Sequence, residues 1–394
     1  MNLALPVGIA AVSLLGIASF VNADWDAPPV LTEQVGYRGT GMYVSRDAEK
    51  VEELAALENN QAPESPWDPD PEGDRAGDIY ENVQVLGHLS DDEFNHFMAS
   101  ITEWVSPEQG CNYCHNAENY ASDEVYTKVV SRRMIQQTQA INVDWKAHVK
   151  QAGVTCYTCH RGQPVPAEYW YLDVFPKPQP GALGYRGGQN VAGQFVGNTS
   201  MHQNALAFYM LEDQEIRVHS DTALPVPGAN EATTKETEAT WALMMHMSES
   251  LGANCTTCHN SRAFNDWDQS PPQRVTAWYG IRMARQINQL YMVPLNPVFP
   301  GNRKGPLGDV YKVGCATCHQ GVQKPLYGAK MLLDAYVPSL GRKSDQSMPD
   351  YEEYVPGETQ RLAPDGQSAS LVPLYDREGR RIASIGGTRG IQHP

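Results

Sequence analysis

The eight cysteines of the 394-residue chain fall into four groups of one spacing, each followed at once by a histidine. They are Cys111-Asn112-Tyr113-Cys114-His115, Cys156-Tyr157-Thr158-Cys159-His160, Cys255-Thr256-Thr257-Cys258-His259 and Cys315-Ala316-Thr317-Cys318-His319. Two thiols about one helical turn apart can form thioethers with the two vinyl groups of a haem, and the adjacent imidazole then reaches the iron as proximal ligand. The expected cofactors are four covalently attached haem c groups. All eight cysteines serve as attachment points, and His115, His160, His259 and His319 as iron ligands. One such motif alone could equally be half a zinc site or a redox dithiol. Zinc would need two cysteine pairs brought together, and a dithiol site rarely recurs fourfold. No cysteine is left for a structural disulfide.

An iron held only by histidine has an open position, which electron carriers close with Met or a second His, Met raising the potential. Each motif therefore needs a helix that presents such a residue. The first helix starts at Ser90 with Glu93 three residues on, a capping box. Phe94, Phe97, Met98, Ile101 and Val105 share one of its faces. Met98 lies on that apolar face, 13 residues before Cys111. His96 falls about 200° round, on the polar side. Met134, on a second helix, suits the second motif. Met244, 11 residues before Cys255, suits the third, though Met245, His246 and Met247 are its neighbours. For the fourth motif the residues leave Met283 and His148 as equal candidates.

The middle of the chain reads as a duplication. Motifs one and three continue His-Asn, with Tyr120 and Phe264 following. Motifs two and four continue to Gly and Pro, through Gly162-Gln163-Pro164 and Gly321 to Pro325. Between the members of each pair, Ser131-Arg132-Arg133-Met134 echoes Gly280-Ile281-Arg282-Met283. A two-haem module at 90–166 thus recurs at 237–325, and a pseudo-two-fold arrangement is expected. A connecting segment, 167–236, joins them. The flanks, an extended segment at 24–89 and a C-terminal extension at 326–394, are expected to be mostly irregular, since 28 Pro and 33 Gly favour long connections. The fold class is mainly α with extensive irregular segments, much of its core being cofactor.

The net charge of −16 makes nucleic acid an unfavoured partner and suits steering of a partner with a basic face. Thioether haem implies export. Leu3 to Val21 is an apolar run without charge that, at ~1.5 Å per residue, approaches the ~30 Å hydrocarbon core. Residues 1–23 are expected to be an uncleaved membrane helix, with a cleavable signal ending at Val21-Asn22-Ala23 as the competitor. The expected location of the rest is the periplasm.

Over about residues 78–335 the chain resembles the tetrahaem cytochrome c subunit bound to the photosynthetic reaction centres of purple bacteria. The resemblance rests on the number and spacing of the motifs, on Tyr80 to Gly87 before the first helix, on Leu243-Met244-Met245, on Cys318-His319-Gln320-Gly321, and on Lys324-Pro325-Leu326-Tyr327-Gly328. It implies the iron pairs His115 with Met98, His160 with Met134, His259 with Met244, and His319 with His148, the last against Met283. It also implies a near-linear haem row of alternating potentials, with haem three nearest the bacteriochlorophyll special pair and haem one farthest. The partners implied are the reaction-centre L, M and H subunits with the surrounding antenna, and a soluble periplasmic cytochrome c or high-potential iron–sulfur protein as donor. The chain departs from lipid-anchored members in lacking an N-terminal Cys and in its long C-terminal tail. Two other classes compete with an electron-transfer subunit. One is a membrane-anchored multihaem quinol dehydrogenase, which would show uniformly low potentials. The other is a gas sensor or peroxidase, which needs a motif without a sixth ligand.

Overall fold

The computed structural model describes residues 4–22, 29–34, 43–57, 60–172, 205–214, 216, 234–344, 372–375 and 381–385. The N-terminal run forms α1 (Ala4–Asn22), 19 residues with no acidic residue in its first turn and no basic one in its last. Val12, Leu14, Ile17 and Phe20 on it are exposed. Among the described residues no helix is long and apolar enough to cross a membrane, and the side chains of α1 are described only from Val12 onward.

The segment before the first module is more regular than its composition suggests. Strand β1 (Val30–Gln34) pairs antiparallel with β2 (Tyr43–Asp47). The Asp47 side chain caps α2 (Ala48–Ala55), which buries none of its residues. A short α3 (Ala76–Ile79) follows.

Helix α4 (Asp91–Val105) begins where the capping box predicts. Ser90 Oγ accepts from the Glu93 amide at 3.1 Å, and the Glu93 carboxylate accepts from the Ser90 amide at 2.9 Å. Ser90 Oγ also donates to the Asp70 carbonyl at 2.6 Å, tying the preceding segment to the helix start. Ser90→Ala is expected to lose about 1–2 kcal/mol in chemical denaturation, since it removes a cap and strands buried partners. A loss below a few tenths would show that the cap is idle.

Four more elements carry the second motif and the link to the next half: α5 (Tyr126–Asp144), α6 (Lys146–Val149), α7 (Cys156–His160) and α8 (Ala205–Met210). The second half contributes α9 (Thr234–Leu251), α10 (Gln273–Ile287), α11 (Cys315–His319) and α12 (Val337–Leu340). A final hairpin pairs β3 (Val372–Tyr375) with β4 (Arg381–Ile385).

Two connecting stretches are core. Ala205 to Leu211 are all buried, packed with Leu243 of α9 and Ile281 of α10. Asn288 holds this stretch by donating to the Met210 carbonyl at 3.0 Å. Residues 326–340 are likewise part of the packing rather than a loose extension. Leu326, Met331, Tyr336 and Leu340 are buried with Phe97 and Trp104 of α4. Gln139 and Asn142 on α5 donate to the carbonyls of Ser339 and Leu340 at 2.8 and 3.1 Å. A third apolar cluster joins Val129 and Ile141 of α5 to Ile287, Leu295 and Phe299. His96 departs from expectation: it is buried, stacked on Tyr336 at 5.2 Å and bonded to Ser65 Oγ at 2.8 Å. The segments at 60–75 and 326–340 cover the helix face that periodicity alone assigns to solvent.

Local contacts recur between the halves. Gly162 donates to the Trp104 carbonyl at 2.9 Å, and Gly321 to the Ser250 carbonyl at 2.9 Å. The Asn142 side chain bonds both amide and carbonyl of Val154, and Asn288 does the same to Val313. Thr158 Oγ1 accepts from Thr155 N, and Thr317 Oγ1 from Gly314 N, each at 3.0 Å.

Candidate functional site

Helices α7 and α11 consist of motifs two and four themselves, whereas motifs one and three begin as tight 3-10 turns at Gly110–Tyr113 and Cys255–Thr257. At motifs one, two and four both cysteines of the pair face one cavity. The chain ends each α7/α11 helix with a left-handed residue, Arg161 at φ 52° and Gln320 at φ 49°, which turns the backbone sharply after the histidine.

The motifs border one connected cavity of ≈ 1090 Å³. Cys111, Cys114 and His115 line it with Met98 from α4. Cys156, Cys159 and His160 line it with Met134 from α5. Cys315, Cys318 and His319 line it with both His148 and Met283. Motif three is placed less fully: Cys258 lines the cavity, while Cys255, His259 and Met244 do not. Met244 is half-buried against the apolar cluster of α8 to α10, and Met247 is the methionine of α9 on the cavity wall.

Every motif histidine has its Nδ1 committed. His115 Nδ1 donates to the Tyr120 carbonyl at 3.0 Å and His259 Nδ1 to that of Phe264 at 2.8 Å. His160 Nδ1 donates to the Gln163 carbonyl at 2.8 Å and His319 Nδ1 to that of Val322 at 3.1 Å. A carbonyl can only accept, so each ring carries its proton on Nδ1 and presents a bare Nε2, the tautomer that ligates a metal. His148 is prepared in the same way, its Nδ1 donating to the Thr276 carbonyl at 2.9 Å. The His148 and His319 rings stand 6.0 Å apart between centroids. Two metal–imidazole bonds of about 2 Å each, added to the ring radii, need roughly this separation. Burial pushes the pKa of His148 down and that of His319 to about 4, so both stay neutral and able to ligate. Desolvation drives both although each ring keeps some surface, which lines the cavity.

Four of the thiols are unlike those of a redox dithiol. Burial raises Cys114 and Cys258 to about 11 and Cys156 and Cys315 to about 12, whereas reactive thiols are lowered. Among the described residues no group of three or more His, Cys, Asp or Glu stands close enough to hold a metal ion directly. At motifs one, two and four the donor set fits haem: cysteine pairs, imidazoles with bare Nε2, and thioether or imidazole groups lining the same cavity.

One expectation is corrected. The sequence leaves no cysteine for a disulfide, yet Cys159 and Cys318 are joined by one, their Cα atoms 4.4 Å apart. The cause is the packing of α7 against α11, which sets the second cysteines of motifs two and four face to face. Gln320 Nε2, within hydrogen-bond reach of the Cys159 carbonyl at 3.4 Å, spans the same contact. A sulfur in a disulfide cannot also be a thioether, so attachment at these two motifs needs both sulfurs free.

His246 was a neighbour to Met244 in sequence, but its Nε2 is occupied, accepting from the Cys315 amide at 3.2 Å. It supports motif four from α9. Its position four residues before Ser250, whose hydroxyl donates back to the His246 carbonyl, carries no signal of that role in the sequence.

The family described as the photosynthetic reaction centre cytochrome C subunit matches residues 26–340. Three similar proteins bear the name photosynthetic reaction center cytochrome c subunit. That of Rubrivivax gelatinosus is 48% identical over 332 residues, 84% of this chain and 90% of the relative. That of Thermochromatium tepidum is 49% identical over 322 residues, 82% and 78% of the two chains. That of Roseobacter denitrificans is 42% identical over 342 residues, 84% and 91% of the two chains.

Proposed function

The chain belongs to the photosynthetic reaction centre cytochrome c subunit family, and we propose that within it this chain holds four haem c groups whose sites adjoin in the order one, two, four, three. It is an electron-transfer subunit of a photochemical complex, not an enzyme, and it is associated with the membrane on the periplasmic side. The bound haems would supply the one-electron redox change between a soluble donor and the photo-oxidised special pair. The protein supplies attachment, axial ligands, burial and order.

The observation that carries the reading is the shared treatment of four histidines, each with Nδ1 tied to a nearby backbone carbonyl and each following a cysteine pair. Cys111 and Cys114, Cys156 and Cys159, Cys255 and Cys258, and Cys315 and Cys318 would form the thioethers, Cys159 and Cys318 as free thiols rather than as the disulfide. His115 with Met98, His160 with Met134, His259 with Met244, and His319 with His148 would hold the irons. Helix contacts support that order: α4 beside motif one packs on α7 of motif two, α7 meets α11 of motif four, and α11 packs on α9 beside motif three. The recurring glycine, asparagine and threonine hydrogen bonds support a duplicated two-haem module with pseudo-two-fold symmetry.

The partners on this reading are the L, M and H subunits with the antenna around them, and a periplasmic cytochrome c or high-potential iron–sulfur protein as donor. Helix α1 serves as membrane anchor, in keeping with its 19 residues and its exposed apolar side chains.

His115→Leu removes the proximal ligand at the outermost site. Re-reduction of that site by the donor after a flash is expected to fall by roughly 10–100-fold or more. Unchanged flash kinetics in reaction-centre membranes would remove motif one from the entry role.

A further inference from the structure

We propose that Gly280 selects the sixth ligand at motif four: lacking a Cβ, it admits the His148 ring and so keeps Met283 off the iron. The proposal rests on the reading of His148 and His319 as a pair.

Gly280 lies in the middle of α10, where glycine weakens a helix relative to alanine. Its backbone gives no reason for glycine, since it is not among the residues with positive φ. The space beside it does. A Cβ built there would stand 2.6 Å from His148 Cε1, 3.0 Å from Nδ1 and 3.4 Å from Nε2. Real Cβ atoms essentially never approach at 2.6 Å, so the ring would have to move. It has little freedom to do so. Its Nδ1 donates to the Thr276 carbonyl one turn earlier on the same helix, at 2.9 Å, and its other side faces His319 at 6.0 Å. Thr276 and Gly280 thus form a cradle on α10, one supplying the acceptor and the other the room.

The first module shows what the cradle replaces. There Ser131 occupies the position that Gly280 holds in the second, by the match of Ser131-Arg132-Arg133-Met134 to Gly280-Ile281-Arg282-Met283. Three residues on stands a methionine in both: Met134, the ligand at motif two, and Met283, which lines the cavity at motif four. The two helices present the same thioether. They differ in whether a side chain one turn earlier blocks an incoming imidazole. At Ser131, whose hydroxyl donates to the Lys128 carbonyl, a side chain fills that position, and methionine ligates. At Gly280 none does, and His148 takes the place.

The test uses the four-haem protein in reaction-centre membranes. Electron paramagnetic resonance separates bis-imidazole from imidazole–thioether centres, and a redox titration gives the four midpoints. The wild type is expected to show one bis-imidazole centre. Gly280→Ser, which gives α10 the side chain of the first module, is expected to show none and to move one midpoint upward, because Met replaces His. Gly280→Ser combined with Met283→Leu is expected to leave that iron open, so that the reduced protein binds carbon monoxide. Where serine does not accumulate as holoprotein, Gly280→Ala adds the Cβ alone and is read in the same way. Gly301→Ala, with nothing within 4 Å of its Cβ, should change neither signature nor midpoints. A bis-imidazole centre and four midpoints unchanged in both Gly280 variants would overturn the selector while leaving the His148 pair standing. A wild type without any bis-imidazole centre would remove the pair itself, and the selector with it.

Discussion

His319→Leu is expected to leave the first flash served and every later one starved. On the proposed order the site at motif three lies next to the special pair, is untouched by the change and can still re-reduce it once. On that order refilling it requires motif four, whose helix α11 packs on both α7 and α9. That helix meets α7 on one side, with the Cα atoms of Cys159 and Cys318 4.4 Å apart, and on the other Gly321 donates to Ser250 of α9 at 2.9 Å. Helix α7 is motif two itself, and α9 lies beside motif three. Removing the imidazole that faces His148 takes away the proximal ligand and leaves one imidazole where two were set 6.0 Å apart. Loss of a mere supporting contact to a metal ligand costs about 10–100-fold, so re-reduction on the second and later flashes should slow by at least that much. A multiple-flash absorbance experiment with excess donor reads it directly. Equal kinetics on the first and fifth flashes would show that electrons bypass motif four.

How far the sequence reaches is uneven, and the unevenness has physical causes. The cysteine–histidine motifs are legible because thioether attachment demands a fixed covalent spacing, which survives whatever the tertiary structure does. The start of α4 is legible because a capping box is local: Ser90 and Glu93 satisfy each other within four residues. His96 is misread because periodicity assigns a helix one apolar face, whereas here segments far apart in sequence, carrying Ser65 and Tyr336, close over the other. Ala205 to Leu211 look like linker because their helix is short, and only the partners on α9 and α10 make it core. The sixth ligands sit between these extremes. Met98 and Met134 lie on helices whose apolar faces point to the cavity. On the proposal above, the choice between His148 on α6 and Met283 on α10 turns on Gly280, far from His148 in sequence, and a single sequence read along its length does not display that contact.

His246 makes the protein acid-sensitive in a defined window. Its side chain is 3% exposed on α9, and burial lowers its pKa to about 4. Its Nε2 must be unprotonated, because it accepts from the Cys315 amide that opens motif four. The folded pKa lies below the unfolded value of about 6.5, so as pH falls it is the unfolded chain that takes up the proton first. The stability that this residue confers is therefore complete above about pH 6.5 and is lost progressively as pH falls to about 4, below which the folded form also protonates. At about 1.4 kcal/mol per unit, the whole window amounts to about 3 kcal/mol. Denaturation midpoints of the wild type between pH 7 and pH 4 should fall accordingly, with other buried histidines adding in the same direction. His246→Gln keeps an acceptor near the Cys315 amide and removes the titration. The difference between the two stability profiles isolates this one residue: the variant should lose about 3 kcal/mol less across the window. Parallel profiles would mean that His246 is protonated in the folded chain, and then the hydrogen bond that sets the first cysteine of motif four would have to be made by another group.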